Sequence, residues 1–156
     1  MKNPKAPSLS ADQVDELMLS AWNMRIATVG PGTRINLTPL WFGWAGGNIY
    51  FFCRGQKVVN LRRDSTATVI VDRNEHFPDL QGAMFQGRAV VLENAAAEAS
   101  DPHLGEIRAQ MASKYASGGS VAPRHTELTA VGTSFRWVRL QPSATITWDN
   151  FKLPRR

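Results

Sequence analysis

The chain has 156 residues, of which 43% are hydrophobic and 20% are charged. This length is enough for one globular domain but not for two cores, and no segment approaches the about 18 uninterrupted apolar residues of a membrane helix. Residues 1–9 are polar and lack the apolar stretch of a secretory signal, so a cytoplasmic location is expected. We therefore predict a single domain over residues 10–152, with short tails over 1–9 and 153–156.

The formal net charge is +5. An excess of positive charge favours an acidic partner: a phosphorylated cofactor, an anionic substrate or nucleic acid. Charge alone does not choose among these three.

Several kinds of chemistry are disfavoured by the sequence. Cys53 is the only cysteine, so it cannot form an internal disulfide, and it is interpreted as a buried small apolar residue. The three histidines lack the i, i+3 or i, i+4 spacing of a helical metal site, and no metal is predicted. Nucleophile-elbow and P-loop motifs are also absent, which disfavours covalent catalysis.

The first half of the chain reads as a helix followed by strands. Residues 10–21 are predicted as a helix, because Ser10 to Gln13 has the form of a capping box and apolar residues follow at helical spacing. Three strands, separated by glycine turns and expected to form a meander, are predicted over 24–30, 34–45 and 48–53.

The second half begins with a short basic helix and returns to strands. The helix is predicted over 57–64, and strands over 66–72 and 83–93, the latter with a bulge or a close backbone approach at Gly87. An alanine-rich helical stretch over 94–116 breaks at Asp101-Pro102, and a Ser/Gly loop follows over 117–121. Two last strands, separated by Gln141-Pro142, are predicted over 127–140 and 143–148.

The predicted elements amount to about six or seven hairpin-linked strands with three short helical segments. A regular β-α-β alternation is absent, so a doubly wound fold is disfavoured. The expected fold class is mainly β (α+β), a small antiparallel barrel with helical inserts.

The junction between the third strand and the basic helix is the first candidate site. Arg54, Lys57, Arg62 and Arg63 lie around it together with the amide of Asn60. Free N–H groups at a helix N-terminus, reinforced by cations, bind anions such as phosphate. Gly55 permits close backbone approach, and the apolar strand before it could form a wall for a planar ring. The alternative interpretation is a solvated basic helix face.

Each of the other candidate site residues also has an ordinary structural interpretation. Arg88 is either an anion contact or an outward-facing strand residue. Pro39 marks a position that donates no ladder hydrogen bond, where a ligand or a sheet edge could lie. Trp41, Phe42 and Trp44 fit a barrel core plus a dimer face. A barrel that binds single-stranded nucleic acid would need a broad basic face rather than a compact one, so nucleic acid is the less favoured partner.

Taken together and in order, several segments resemble one family. They are 25–29 (RIATV), 36–42 (NLTPLWF), 49–52 (IYFF), 57–64 (KVVNLRRD), 86–88 (QGR) and 147–149 (TWD). Their order is similar to that of the split β-barrel superfamily of pyridoxamine 5'-phosphate oxidases and flavin or deazaflavin oxidoreductases. The similarity is greatest to the actinobacterial branch that uses the deazaflavin coenzyme F420.

The resemblance implies a split β-barrel and a set of cofactor contacts. Lys57 would contact the cofactor phosphate, with Arg54, Gln56 and Asn60 completing the cradle, while Arg62 and Arg88 would steer an acidic tail or the substrate. The cofactor ring would lie against Thr38, Pro39, Leu40 and Trp41. Members are homodimers with the site at the interface, so Trp148 would reach the cofactor of the other protomer.

The implied function is transfer of a hydride from reduced F420 to an electron-poor conjugated small molecule, such as a quinone or a tetrapyrrole. Many relatives have a serine or arginine just before the lysine and a proline after the Leu-Arg-Arg-Asp stretch, where this chain has Gln56 and Ser65. These departures leave FMN open as the cofactor. A cofactor-binding protein without catalysis is the third reading.

Overall fold

A computed structural model of the protein describes residues 7–116 and 134–154. The helices in these residues are α1 (Ala11–Ser20), α2 (Gln56–Arg63), α3 (Ala95–Ser100) and α4 (Leu104–Tyr115), and the strands are β1 (Met24–Val29), β2 (Ile35–Leu40), β3 (Gly43–Ala45), β4 (Asn48–Cys53), β5 (Thr66–Arg73), β6 (Gln81–Leu92) and β7 (Arg136–Asp149). The predicted loop over 117–121, most of the N-terminal tail and the last two residues lie outside them.

All seven strands form one antiparallel sheet in the order β2-β1-β5-β6-β7-β4-β3. The two edge strands, β2 and β3, are consecutive in the chain and are joined only by Trp41 and Phe42. Three Cα-to-Cα steps span at most about 11 Å, so the sheet must curl until its edges nearly meet. The fold is therefore a split β-barrel of the α+β class, as predicted.

The prediction of one strand over 34–45 is wrong, because the stretch divides at Trp41. β2 pairs with β1, whereas β3 pairs with β4 at the other edge of the sheet. The chain must leave one edge and join the other in order to close the barrel. The expected meander of the first three strands is wrong for the same reason.

The prediction of two final strands is also wrong, since β7 is continuous through Pro142. Its pairing with β6 shifts there: Gln86 lies opposite Ala144, and Gly87 lies opposite Pro142. Pro142 is tolerated because it occupies this irregularity of the ladder. The irregularity predicted at Gly87 is confirmed: the register shifts between Gln86 and Gly87, the extra residue is Ser143 of β7, and the Gly87 backbone closely approaches that of Gln141. Residues 127–133 of the predicted strand lie outside the described residues.

The helix predictions are confirmed at three places. Ser10 and Gln13 form the capping box that starts α1. α2 covers the predicted basic helix, and the alanine-rich stretch forms α3 and α4 with a break at residues 101–103. At that break the buried Asp101 carboxylate accepts hydrogen bonds from the Tyr50 hydroxyl at 3.0 Å and from Arg139 at 2.7 Å. This carboxylate fastens the helical pair to the barrel wall.

Side chains of β4 alternate between two apolar clusters, which shows where the core lies. Ile49, Phe51 and Cys53 point into the barrel, whose ends carry residues of α1 and α2. Tyr50 and the partly buried Phe52 point outwards to a second cluster, built with α4. Cys53 is buried as expected. No helix within the described ranges has the length and apolar character required to cross a membrane.

Candidate functional site

The start of α2 is an anion-binding geometry. Gly55, with φ 73° and ψ −144°, precedes the helix in a conformation that favours glycine. Its carbonyl accepts hydrogen bonds from the N–H groups of Val58 at 3.0 Å and Val59 at 3.3 Å. In the described part of the chain, the N–H groups of Gln56 and Lys57 have no hydrogen-bond partner. These two donors, at the positive end of the helix dipole, suit a phosphate.

Two cations flank this helix start. The Arg54 guanidinium carbon lies 4.9 Å from the centre of the Phe135 ring. Lys57 is half-buried and has no ion-pair partner among residues 7–116 and 134–154. It lies close enough to Cys53 to lower the pKa of the thiol, but the larger effect of burial raises that pKa to about 12. Cys53 is therefore protonated and inert at neutral pH, whereas Lys57 remains available for an anion.

Asn60 lies beneath the turn instead of on its surface. Its side chain is fully buried, accepts a hydrogen bond from Gln56 Nε2 at 2.8 Å and donates one to Thr28 Oγ1 at 3.0 Å. Because buried polar groups need partners, this chain of bonds fixes α2 to β1. Asn60 thus supports the helix start from below.

Replacing Asn60 with alanine is expected to lower the free energy of unfolding by about 1 to 3 kcal/mol, because the Thr28 hydroxyl then loses its buried partner. Urea denaturation measures the change. The control is Val59→Ala on the same helix, where the side chain is about half-exposed and the expected change is below about 0.5 kcal/mol. Equal stability of the two variants would contradict the bracing role of Asn60.

Three other residues of the predicted site lie apart from the helix start. Arg62 makes two hydrogen bonds to Glu93, at 2.7 and 2.5 Å, which lower the pKa of that carboxyl. Arg88 is exposed and donates to Ser65 Oγ at 3.2 Å, beyond the C-terminal end of α2. Trp148 lies near the C-terminal end of β7, where its ring covers Gly82. Arg136 is at the opposite end of this strand. In the described chain, Arg54, Gln56 and Lys57 form the immediate surroundings of the anion position.

An aromatic strip runs from these cations towards the junction of β2 and β3. The Phe52 ring stacks on Phe135 with centroids 4.9 Å apart, and Phe52 and Trp41 pack against the same outer cluster. β3 pairs only with residues 48–50 of β4, so residues 51–53 have no strand beside them on that side in the described chain. We call this opening, together with the helix start beside it, the seam; Trp41, Phe52, Arg54 and Lys57 lie around it.

One polar atom of β2 lacks a described partner. Thr38 lies opposite Ile26 of the inner core, so its side chain is on the inner face of the barrel, whereas Phe52 is on the outer face. Thr38 Oγ1 is buried and has no hydrogen bond to any described residue. A buried hydroxyl without a partner is uncommon in a folded protein, and this one is free to form a hydrogen bond with a bound molecule. Pro39 is exposed, and Leu40 is half-buried beside Thr38 on the same strand.

The seam can hold a molecule with a phosphate at one end and a planar ring at the other. The helix start with Arg54 and Lys57 suits the phosphate, while the aromatic strip suits the ring. Sequence reasoning missed Phe135, Thr28 and Tyr115 in this neighbourhood. No local motif marks them: strand pairing brings Thr28 and Phe135 near residues 52–60, and the packing of α4 brings Tyr115 against Trp41. Among the described residues, no three His, Cys, Asp or Glu side chains form a metal cluster.

Comparison with known proteins supports the fold assignment. No protein-family model and no curated protein matches the sequence. A conserved hypothetical protein of Mycobacterium tuberculosis is similar over 100% of this chain and 96% of its own, with 24% identity and a TM-score of 0.78. An FAD-binding protein of Mesorhizobium loti is similar over 91% and 96%, with 17% identity and a TM-score of 0.66. An F420 reductase is similar over 85% and 94%, with 15% identity and a TM-score of 0.58. These likenesses show a shared fold.

Proposed function

We propose that the protein is a reductase that binds F420 in the seam and reduces an electron-poor conjugated molecule such as a quinone or a tetrapyrrole. The observation that carries this proposal is the pair of free N–H groups at the start of α2, flanked by Arg54 and Lys57 and continued by an aromatic strip. The similar F420 reductase and FAD-binding structures support the choice of a flavin-type group. When bound, this group would supply the hydride.

The residues of the chain would bind and orient the cofactor. Lys57 and the free N–H groups of α2 hold the phosphate, and Arg54 adds a second positive charge. Trp41 and Phe52 would cover the ring and exclude water, and the Thr38 hydroxyl would be a hydrogen-bond donor for the ring if the cofactor reaches β2. Arg62 and Arg88 contribute to the positive field that attracts an acidic tail. We assign the proton that completes the reduction to solvent.

The activity is tested by mixing the protein with reduced F420 and 1,4-naphthoquinone under anaerobic conditions. The expected result is oxidation of F420 at a rate that rises in proportion to protein concentration and exceeds the rate without protein. Saturable F420 binding without this turnover, across quinone and tetrapyrrole acceptors, would instead support a non-catalytic cofactor-binding protein.

FMN is the second candidate cofactor, because it shares the phosphate and the planar tricyclic ring. The similarity to an FAD-binding protein favours it. A protein that uses FMN would be purified with a yellow colour and a flavin absorbance spectrum. A colourless preparation that binds F420 but not FMN in a titration would exclude this alternative.

We further propose a homodimer with the site at its interface. Ile70, Met84 and Ile146 lie opposite one another on β5, β6 and β7, on the outer face of the sheet. Leu37 lies on the outer side of β2. Ile146 is 53% exposed and Leu37 is 64% exposed, which is unusual for a sheet centre and its edge. Covering this face with a second copy would bring Trp148 of one protomer towards the cofactor of the other.

Replacing Ile146 with lysine is expected to separate the dimer, because a charge placed in an apolar interface must be desolvated. Analytical ultracentrifugation measures the change in mass. Leu19→Lys, at an exposed position on α1, is the matched control and should leave the dimer intact. A wild-type monomer, or a dimer unaffected by Ile146→Lys, would refute this interface.

A further inference from the structure

Three aromatic residues from distant parts of the chain form a corner beside the seam. Trp41 and Tyr115 are stacked, with ring centroids 4.3 Å apart and an angle of 4° between their planes. Trp22 meets both rings edge-on, at 6.2 Å from Trp41 and 5.0 Å from Tyr115. Although it belongs to this stack, Trp22 remains 41% exposed. The corner therefore presents an indole surface to solvent next to the proposed ring position.

The Tyr115 hydroxyl fixes the corner rigidly. It accepts a hydrogen bond from the Phe42 N–H at 3.0 Å, and its single hydrogen is shared between the Trp22 carbonyl at 2.9 Å and the Phe42 carbonyl at 3.2 Å. Burial raises the pKa of this hydroxyl to about 12, so it remains protonated and able to donate. The end of α4 thus fixes the chain segments that carry both tryptophans. Such preorganisation is what a specific binding surface requires.

A lysine without a counter-ion lies at the same corner. Lys114 Nζ is 4.0 Å from the centre of the Phe42 ring and 5.5 Å from that of Tyr115. It donates to the Met18 carbonyl at 3.3 Å, and no carboxylate within the described ranges pairs with it. Burial lowers its pKa to about 8, so the ammonium form still predominates at neutral pH. The two aromatic rings and one carbonyl leave part of this positive charge uncompensated.

Packing alone accounts poorly for these features. A methionine would fill the space of Lys114 without the cost of desolvating a charge, and a smaller residue than Trp22 would expose less apolar surface at the end of α1. A planar ligand that bears a negative charge would use both features together. Its ring would contact Trp22 and Trp41, and its anionic group would neutralise Lys114.

We propose that the corner formed by Trp22, Trp41 and Lys114 is the subsite for the acceptor substrate, and that this substrate is a planar conjugated ring carrying a carboxylate or another anionic group. The assignment of the ligand as the hydride acceptor rests on the proposed function. The preference of the corner for a planar anion depends only on the residues described above. Tyr115 acts as a positioning residue for the two tryptophans.

The test compares 2-naphthoate with 2-naphthamide, which share the ring and differ in charge. Equilibrium dialysis against the full-length protein, with and without F420, measures both dissociation constants. The wild type is expected to bind the naphthoate about tenfold more tightly, equivalent to about 1.4 kcal/mol. Lys114→Met should remove this preference while retaining or raising the melting temperature. Trp22→Ala should weaken the binding of both ligands about tenfold, and Trp22→Phe should partly restore it.

The control is Phe77→Ala, which removes an aromatic ring that is exposed on the connection between β5 and β6. It should leave both dissociation constants unchanged. Equal binding of the two ligands by the wild type, or a preference that survives Lys114→Met, would overturn the proposal. Failure of F420 to bind while the naphthoate preference persists would instead refute the proposed function and leave the subsite intact.

Discussion

Replacing Lys57 with alanine is expected to weaken binding of F420 by about 10- to 100-fold. A charge-assisted hydrogen bond to phosphate contributes about 1.5 to 3 kcal/mol, and in the described structure Lys57 has no other ionic partner that would compete for it. Fluorescence titration with F420 measures the dissociation constant, and circular dichroism checks that the fold is retained.

The matched control for Lys57→Ala is Lys152→Ala, which changes the net charge equally. Lys152 pairs with Asp149 at 3.1 Å, close to the C-terminal end of β7. If both variants lost F420 affinity equally, the effect would come from the overall charge of the protein. Wild-type affinity in the folded Lys57→Ala protein would show that the phosphate binds elsewhere.

Replacing Gly87 with alanine is expected to have the largest effect on stability, a loss of about 3 kcal/mol. A Cβ atom at this position would lie 2.0 Å from the backbone oxygen of Gln141 on the neighbouring strand. Since backbone atoms cannot rotate away as a side chain can, either β6 or β7 must shift at the bulge. The change is measured by urea denaturation, with the shift in midpoint converted to free energy.

Gly105→Ala provides the control for this prediction. Gly105 lies in α4, and a Cβ atom there would meet nothing within 4 Å. Alanine favours the helix over glycine, so a gain of about 0.5 to 1 kcal/mol is expected. A loss at Gly87 no greater than about 0.5 kcal/mol would mean that the strands separate easily at the bulge, and that the close approach of β6 and β7 is unimportant for folding.

The elements that depend on local sequence were predicted well. The capping box at Ser10, the basic helix after Gly55 and the bulge at Gly87 are each specified by a few adjacent residues. Such signals do not depend on the rest of the fold. The fold class could also be predicted from the sequence, because hairpin-linked strands without β-α-β alternation are compatible with few other architectures.

The errors concern strands whose course depends on barrel closure. Nothing in residues 34–45 shows that pairing changes edges at Trp41, because both halves have the same strand-forming character. In the same way, Pro142 reads as a strand break until its position opposite Gly87 is known. Both features depend on partners far away in the sequence, and single-sequence patterns contain no information about them.

The same limit applies to the candidate site. The cluster of cations after β4 pointed to the start of α2, and three of its predicted contacts lie there: Arg54, Gln56 and Lys57. The sequence did not indicate that Asn60 faces Thr28 or that Arg62 pairs with Glu93, since these contacts join residues about 30 positions apart. The aromatic corner at Trp22 was missed because its third member, Tyr115, comes from α4.

The central claim is that the seam binds the deazaflavin cofactor. The most direct test is a fluorescence titration of the purified protein with F420 and, in parallel, with FMN. We predict saturable binding of F420 with an affinity at least tenfold higher than that for FMN, and loss of this binding in Lys57→Ala. Preference for FMN would contradict the choice of cofactor, and binding of neither compound would contradict the assignment of the seam as a cofactor site.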